Sequence, residues 1–154
     1  MSTLDFLTLT ELSEQIRRRC ISPVEVTRLC LDRINEYDGI LSSYVTVSGD
    51  RALKHAFLAE QEIHNGRWRG PLHGVPIALK DLISTNGVVT TAGMTLYKDH
   101  VPRFDATVVE RLDRAGAVIL GKLETAEGAL FNHHPSVVPP RNPWNTDYCW
   151  KRSE

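Results

Sequence analysis

Gly70–Ile83 reads GPLHGVPIALKDLI. A loop rich in glycine and proline runs into the apolar segment Val75–Leu79, which ends abruptly in Lys80 and Asp81. Val75, Ile77 and Leu79 recur at the two-residue period of a strand, and Pro76 suits the start of a strand rather than its middle. The stretch therefore predicts a buried strand that delivers a lysine at its end. Two fates are open to that lysine. It can leave the sheet for water, as most lysines do, and the spacing by itself favours this. Or it can sit in an apolar site, where desolvation lowers the pKa of an ammonium until it serves as a base near neutral pH.

Upstream of this stretch the pattern is helical. Thr8 followed by Glu11 forms a capping box, and Leu9, Leu12 and Ile16 recur at helical spacing, so a first helix is predicted to about Arg19. Ser22, Pro23 and Glu25 supply an N-cap, a first-turn proline and a capping glutamate for a second helix. Val26, Leu29, Cys30, Ile34 and Tyr37 form its apolar face, and Gly39 is its expected stop. Cys30 reads as a small core residue rather than a nucleophile. Tyr44–Val47 is a short β-prone run. Asp50 then opens a third helix, with Leu53, Ala56, Phe57, Ala59 and Ile63 inside it and Gly66 after it. His55 and His64 on that helix lack metal-ligand spacing and read as surface or satisfied histidines.

Downstream, Asn86-Gly87 between Leu82-Ile83 and Val88-Val89 predicts a hairpin. Thr90-Thr91-Ala92-Gly93 either lines a cleft or forms a turn. Asp105 is the expected cap of a helix carrying Val108, Val109, Leu112 and Ala115, with Gly116 ending it. Ala117–Leu120 is a second apolar strand, ending in Gly121 and Lys122. Helices alternating with short apolar strands predict a layered α/β domain with a largely buried sheet. Gly121-Lys122 is not a phosphate loop, because Leu123 stands where a Ser or Thr would hold Mg²⁺, and no GxGxxG is present. His133-His134 faces two directions if extended and makes a poor metal site. Asn142-Pro143-Trp144-Asn145 reads as loop.

The totals narrow the classes. At 154 residues the chain suits about one domain, and 42% hydrophobic with 24% charged residues is a globular composition. A formal net charge of −1 argues against a surface dedicated to nucleic acid. Arg17, Arg18 and Arg19, the one basic cluster, fall at a predicted helix end, where cations complement the dipole. Cys20, Cys30 and Cys149 are odd in number and lack CxxC spacing, which suggests neither a zinc site nor a disulfide framework and fits a reducing, cytoplasmic compartment. The first residues lack the basic start and apolar run of a secretory signal, and no stretch is apolar for long enough to span a bilayer.

Several of these pieces occur together in the amidase signature family. Gly70-Pro71-Leu72-His73-Gly74-Val75-Pro76-Ile77-Ala78-Leu79-Lys80-Asp81 resembles that family's lysine segment. Thr90-Thr91-Ala92-Gly93 resembles the element after it. Asp105-Ala106-Thr107-Val108-Val109 through Gly116-Ala117 and Gly121-Lys122 is similar to the next helix and strand. Asn142-Pro143-Trp144-Asn145 is similar to the loop that precedes the family's glycine- and serine-rich segment. The similarity extends from the N-terminal helices to about Tyr148. It implies a layered α/β/α fold with a mixed central sheet, incomplete here, with residues 1–154 as the N-terminal part of an amidase domain. Within it, 1–68 would be a helical region, 69–145 the start of the α/β core and 146–154 a divergent tail.

The resemblance also implies a chemistry. The family cleaves the carbon–nitrogen bond of amides through a Ser–cis-Ser–Lys triad: one serine attacks the carbonyl, the bridging serine passes the proton, and a neutral, buried lysine acts as base. Backbone amides of the glycine-rich segment would form the oxyanion hole. The resemblance places the lysine on Lys80. Both serines belong to the segment expected after Asn145, where this chain reads Thr146-Asp147-Tyr148-Cys149-Trp150-Lys151-Arg152-Ser153-Glu154. Ser153 lies near the terminus without glycines and receives no role. A frameshift, a premature stop or a truncated gene model is the simplest expectation for that ending. The chain alone is then expected to be inactive. The alternative is a non-catalytic fragment or partner-binding polypeptide that completes an amidase, or a glutamyl-tRNA(Gln) amidotransferase-like fold, in trans with a C-terminal polypeptide. No cofactor is implied, and the expected substrate of the completed enzyme is a small-molecule amide.

Overall fold

The structure, a computed structural model, describes residues 7–130 and 132–149. Its elements are α1 (Leu9–Arg17), α2 (Pro23–Leu41), β1 (Tyr44–Val47), α3 (Gly49–His64), β2 (Pro76–Lys80), α4 (Thr107–Arg114), β3 (Val118–Leu123), β4 (Arg141–Asn142) and β5 (Asn145–Cys149). In their described parts, Met1–Asp32, Ser48–Ile77 and Glu110–Leu120 form one compact unit. Arg33–Val47, Ala78–Val109 and Gly121–Glu154 form the other. The chain is α/β, and its three-stranded sheet has the order β1-β3-β2. β1 lies antiparallel to β3, with Thr46 opposite Lys122 and Val47 opposite Gly121. β2 runs parallel to β3: Val118 N–H donates to Val75 O at 2.9 Å, and Asp81 N–H donates to Leu123 O at 3.0 Å. The sheet is therefore mixed, as expected.

In the first unit, local signals set the helix starts. Thr8 Oγ1 accepts from Glu11 N–H at 3.2 Å while Glu11 Oε2 accepts from Thr8 N–H at 2.8 Å, completing the capping box. The helix ends at Arg17, two residues before the expected end, and Arg17 and Arg18 both pair with Glu14. Ser22 Oγ accepts from Val24 N–H and Glu25 N–H and donates to the Glu60 carboxylate of α3, so one hydroxyl caps α2 and ties it to a neighbour. Ile16, Val26, Ile63 and Val75 make the buried cluster, with Leu12, Ile21, Trp68 and Ile77 packed against it. Each such side chain stabilises the fold by roughly 1.5–3 kcal/mol when fully buried.

Several expectations are corrected. The helix α2 does not stop at Gly39 but continues to Leu41. Asp38 sets the end instead: its Oδ1 accepts from Ser43 N–H at 2.6 Å and Tyr44 N–H at 3.1 Å, and Ser42 takes a left-handed φ of 51°. Around Asn86-Gly87 the chain turns, but the flanks pair only through the single bridge Thr85–Val88 and form no strands. The Asp105 carboxylate accepts from Asn86 N–H at 2.7 Å, closing that loop, while α4 begins two residues later at Thr107. Asn142–Asn145 is also not plain loop: β4 and β5 pair antiparallel on either side of Pro143-Trp144. Cys30 is half-buried rather than part of the core.

The strand β3 runs close to its expected bounds. It continues through Gly121 and Lys122 to Leu123 and is buried along nearly its whole length. A Cβ on Gly121 would stand 2.1 Å from Thr46 O, so glycine lets the β1 backbone close onto β3 at that point.

Candidate functional site

The lysine of the opening stretch occupies the last position of β2, and its side chain is exposed among the described residues. In this chain Lys80 reaches solvent, the fate that the spacing by itself favours. What is buried is the machinery around it, all in the second unit. Asp81 and Lys122 are both fully buried. Lys122 Nζ donates to Ile83 O at 2.6 Å and to Thr90 Oγ1 at 2.8 Å, and stands 3.5 Å from Asp81 Oδ1. At that distance the pair is ionic contact rather than a hydrogen bond, and Asp81 Oδ1 has no hydrogen-bond partner. Asp81 Oδ2 accepts from Thr91 N–H at 2.9 Å and Thr91 Oγ1 at 2.5 Å.

Backbone bonds complete the arrangement. Ile83 N–H donates to Lys80 O at 3.0 Å, and Ala92 N–H donates to Asp81 O at 2.9 Å. Thr91 Oγ1 also accepts from Gly93 N–H at 3.0 Å. The segment Thr90–Gly93 is thus a turn fastened to Asp81, and Thr91 and Gly93 also line a cavity of about 460 Å³ with Val45, Val89, Met94 and Val137. Gly93 has φ 68°, and a Cβ there would meet Thr125 O at 2.5 Å, so both backbone conformation and space call for glycine. Burial pulls the Lys122 ammonium below the usual lysine range, opposed by the Asp81 carboxylate. Burial pushes the Glu124 carboxyl up, opposed by the bond it accepts from Thr125 N–H.

His73, from the same opening stretch, lies in the first unit and is fully buried. Its Nδ1 accepts from Arg69 N–H at 3.2 Å, which leaves the proton on Nε2. Nε2 stands 3.3 Å from Glu62 Oε2, out of hydrogen-bond alignment. Arg69 grips the same Glu62 carboxylate through two bonds of 2.6 and 2.7 Å. Burial first, then the Arg69 charge, holds the imidazole pKa below its ordinary value. His133 and His134 do not converge; His134 Nδ1 instead pairs with Ser136 Oγ at 2.8 Å.

Sequence reasoning missed Lys122, Asp81 and Thr90 as a connected group. The available signal was that two apolar strands each end in a lysine, with one aspartate beside them. Buried cations require a buried partner.

Residues 25–150 match the family model described as Amidase. The chain belongs to the amidase family. It is 48% identical over 139 residues to the putative amidase AmiD of Mycobacterium tuberculosis, covering 90% of this chain and 29% of that protein. A glutamyl-tRNA(Gln) amidotransferase component from Moorella thermoacetica is 43% identical over 146 residues, covering 94% and 30%. Among solved structures, the native peptide amidase from Stenotrophomonas maltophilia superposes with a TM-score of 0.84 at 31% identity, covering 94% of this chain and 31% of that one. The chain thus spans about three-tenths of the length of these relatives.

Proposed function

We propose that this chain is the N-terminal part of an amide hydrolase domain, with Lys80 as the base of a Ser–cis-Ser–Lys triad whose serines lie outside its 154 residues. Lys80 would take the proton from the bridging serine and return it to the leaving amine. The observation that carries this reading is the placement of Lys80 at the end of β2, directly before an aspartate anchored on three sides, in a chain 48% identical to a putative amidase. By itself the polypeptide does not hydrolyse amides in this reading. Hydrolysis of simple amides by the purified 154-residue chain, abolished by Lys80→Ala, would overturn that statement. The catalytic assignment is tested in a chimera in which this chain replaces the matching 139 residues of the mycobacterial relative. Hydrolysis lost on Lys80→Ala supports it; full activity in that variant rejects it.

A second reading is favoured by the surface of the second unit. Leu96, Phe104, Leu130 and Trp144 of that unit are 83%, 64%, 75% and 93% exposed. A C-terminal polypeptide supplied in trans would cover them and complete an amidase or an amidotransferase-like fold. Co-expression with the remaining part of the mycobacterial relative tests this: co-purification as a stoichiometric complex supports it, and separate elution removes it.

A further inference from the structure

Three routes, two through hydrogen bonds of the ammonium and one through an ionic contact, lead from Lys122 to the turn that carries Lys80. In the first, Lys122 Nζ holds Ile83 O, and Ile83 N–H holds Lys80 O. In the second, Lys122 faces Asp81, the next residue after Lys80, whose N–H is bound to Leu123 O. In the third, Lys122 holds Thr90 Oγ1, and the adjoining Thr91 is bound to Asp81 Oδ2. Neither charged group reaches solvent. A buried ion pair is a poor device for stability alone, because apolar residues of similar volume do as well or better. What it does supply is direction. A cation with three donors at fixed angles, facing a carboxylate that is itself tied to a backbone turn, admits one arrangement of Lys80–Ile83 and Thr90–Gly93.

We infer that Lys122 and Asp81 are positioning residues, a buried pair that fixes the point and direction at which Lys80 leaves β2. The inference rests on the reading of Lys80 as the base and adds two residues to that site. Neither Lys122 nor Asp81 touches a reacting atom in it.

The test uses the 154-residue chain with lysine side chains labelled for NMR. In Lys122→Met, the Ile83 and Thr91 amides should exchange roughly ten- to hundredfold faster, as expected when a buried hydrogen-bond partner is removed. The Lys80 side-chain resonances should shift, while the Val118 amide, bound to Val75 O, keeps its rate. The double variant Asp81→Asn/Lys122→Met separates positioning from mere stability, because it leaves no unpaired buried charge. Its melting temperature should recover relative to Lys122→Met, whereas the Ile83 exchange and Lys80 resonances should remain displaced. Native Ile83 and Thr91 rates in Lys122→Met, or native Lys80 resonances in the double variant, would overturn the inference. If Lys122→Met does not fold, the double variant decides alone. The base assignment stands or falls separately, on Lys80→Ala in the chimera.

Discussion

Lys122 Nζ lies 3.5 Å from Asp81 Oδ1, and neither side chain has solvent access. The pair joins β3 to the residue that follows the exposed Lys80. Removing one member leaves the other charged and buried, which costs far more than removing both.

A double-mutant cycle measures that difference. Lys122→Met should lower stability by about 3–5 kcal/mol. Adding Asp81→Asn should recover part of the loss, and the non-additive remainder reads the coupling. Chemical denaturation of the four proteins gives the numbers. Additive losses would mean that the two groups do not interact.

Lys80→Ala should change stability by no more than about 0.5 kcal/mol, because the side chain is exposed. A melting curve of this variant beside that of Lys122→Met contrasts two lysines that each end an apolar run of sequence. Comparable destabilisation by both would contradict the burial described here.

The buried imidazole of His73 makes stability depend on pH. Its pKa is held below the ordinary value of 6.5, so the unfolded chain binds the proton more readily than the folded one. The contribution is complete above about pH 6.5 and is lost as pH falls from there through the folded pKa. The half-buried His55 is displaced in the same direction, first by burial and then by the Arg51 charge, and adds to the slope. Stability measured from pH 7.5 to 5 should therefore decline, and His73→Asn should flatten the decline without abolishing it. An unchanged slope in that variant would exclude His73 as its source.

Gly121→Ala should open the β1–β3 ladder. The added Cβ would meet Thr46 O at 2.1 Å, a backbone atom that cannot swing aside. A loss of about 1–3 kcal/mol is expected, the range for overpacking a closed site. Faster amide exchange in Tyr44–Val47 should accompany it, and native exchange there would show that the ladder tolerates the methyl group.

Ile16→Ala tests the other unit. Ile16 is 1% exposed within the cluster of Val26, Ile63 and Val75. The truncation should cost about 2–5 kcal/mol. Equilibrium unfolding would register it, and a loss near zero would mean that the site collapses around the gap.

The sequence by itself determined what depends on neighbours along the chain. Thr8 and Glu11 form their capping box from residues three apart. Ser22 and Pro23 start α2, and the alternation in Val75–Leu79 makes a strand that ends at Lys80. These signals are short-range, so pattern reading reaches them, and the motifs around Lys80 carried the family resemblance that the family match bears out. Tertiary structure decided what depends on residues far apart. Gly39 looks like a stop, yet Asp38 places the end of α2 by binding Ser43 and Tyr44 of the incoming β1. That the β1 backbone closes against Gly121, with Val47 opposite it, could not be read from the segment around the glycine. Which of the two strand-end lysines is buried could not be read from either segment. It is settled by Asp81, Ile83 and Thr90, which lie 41, 39 and 32 positions before Lys122 in the chain and whose oxygens meet its ammonium only after the sheet has formed.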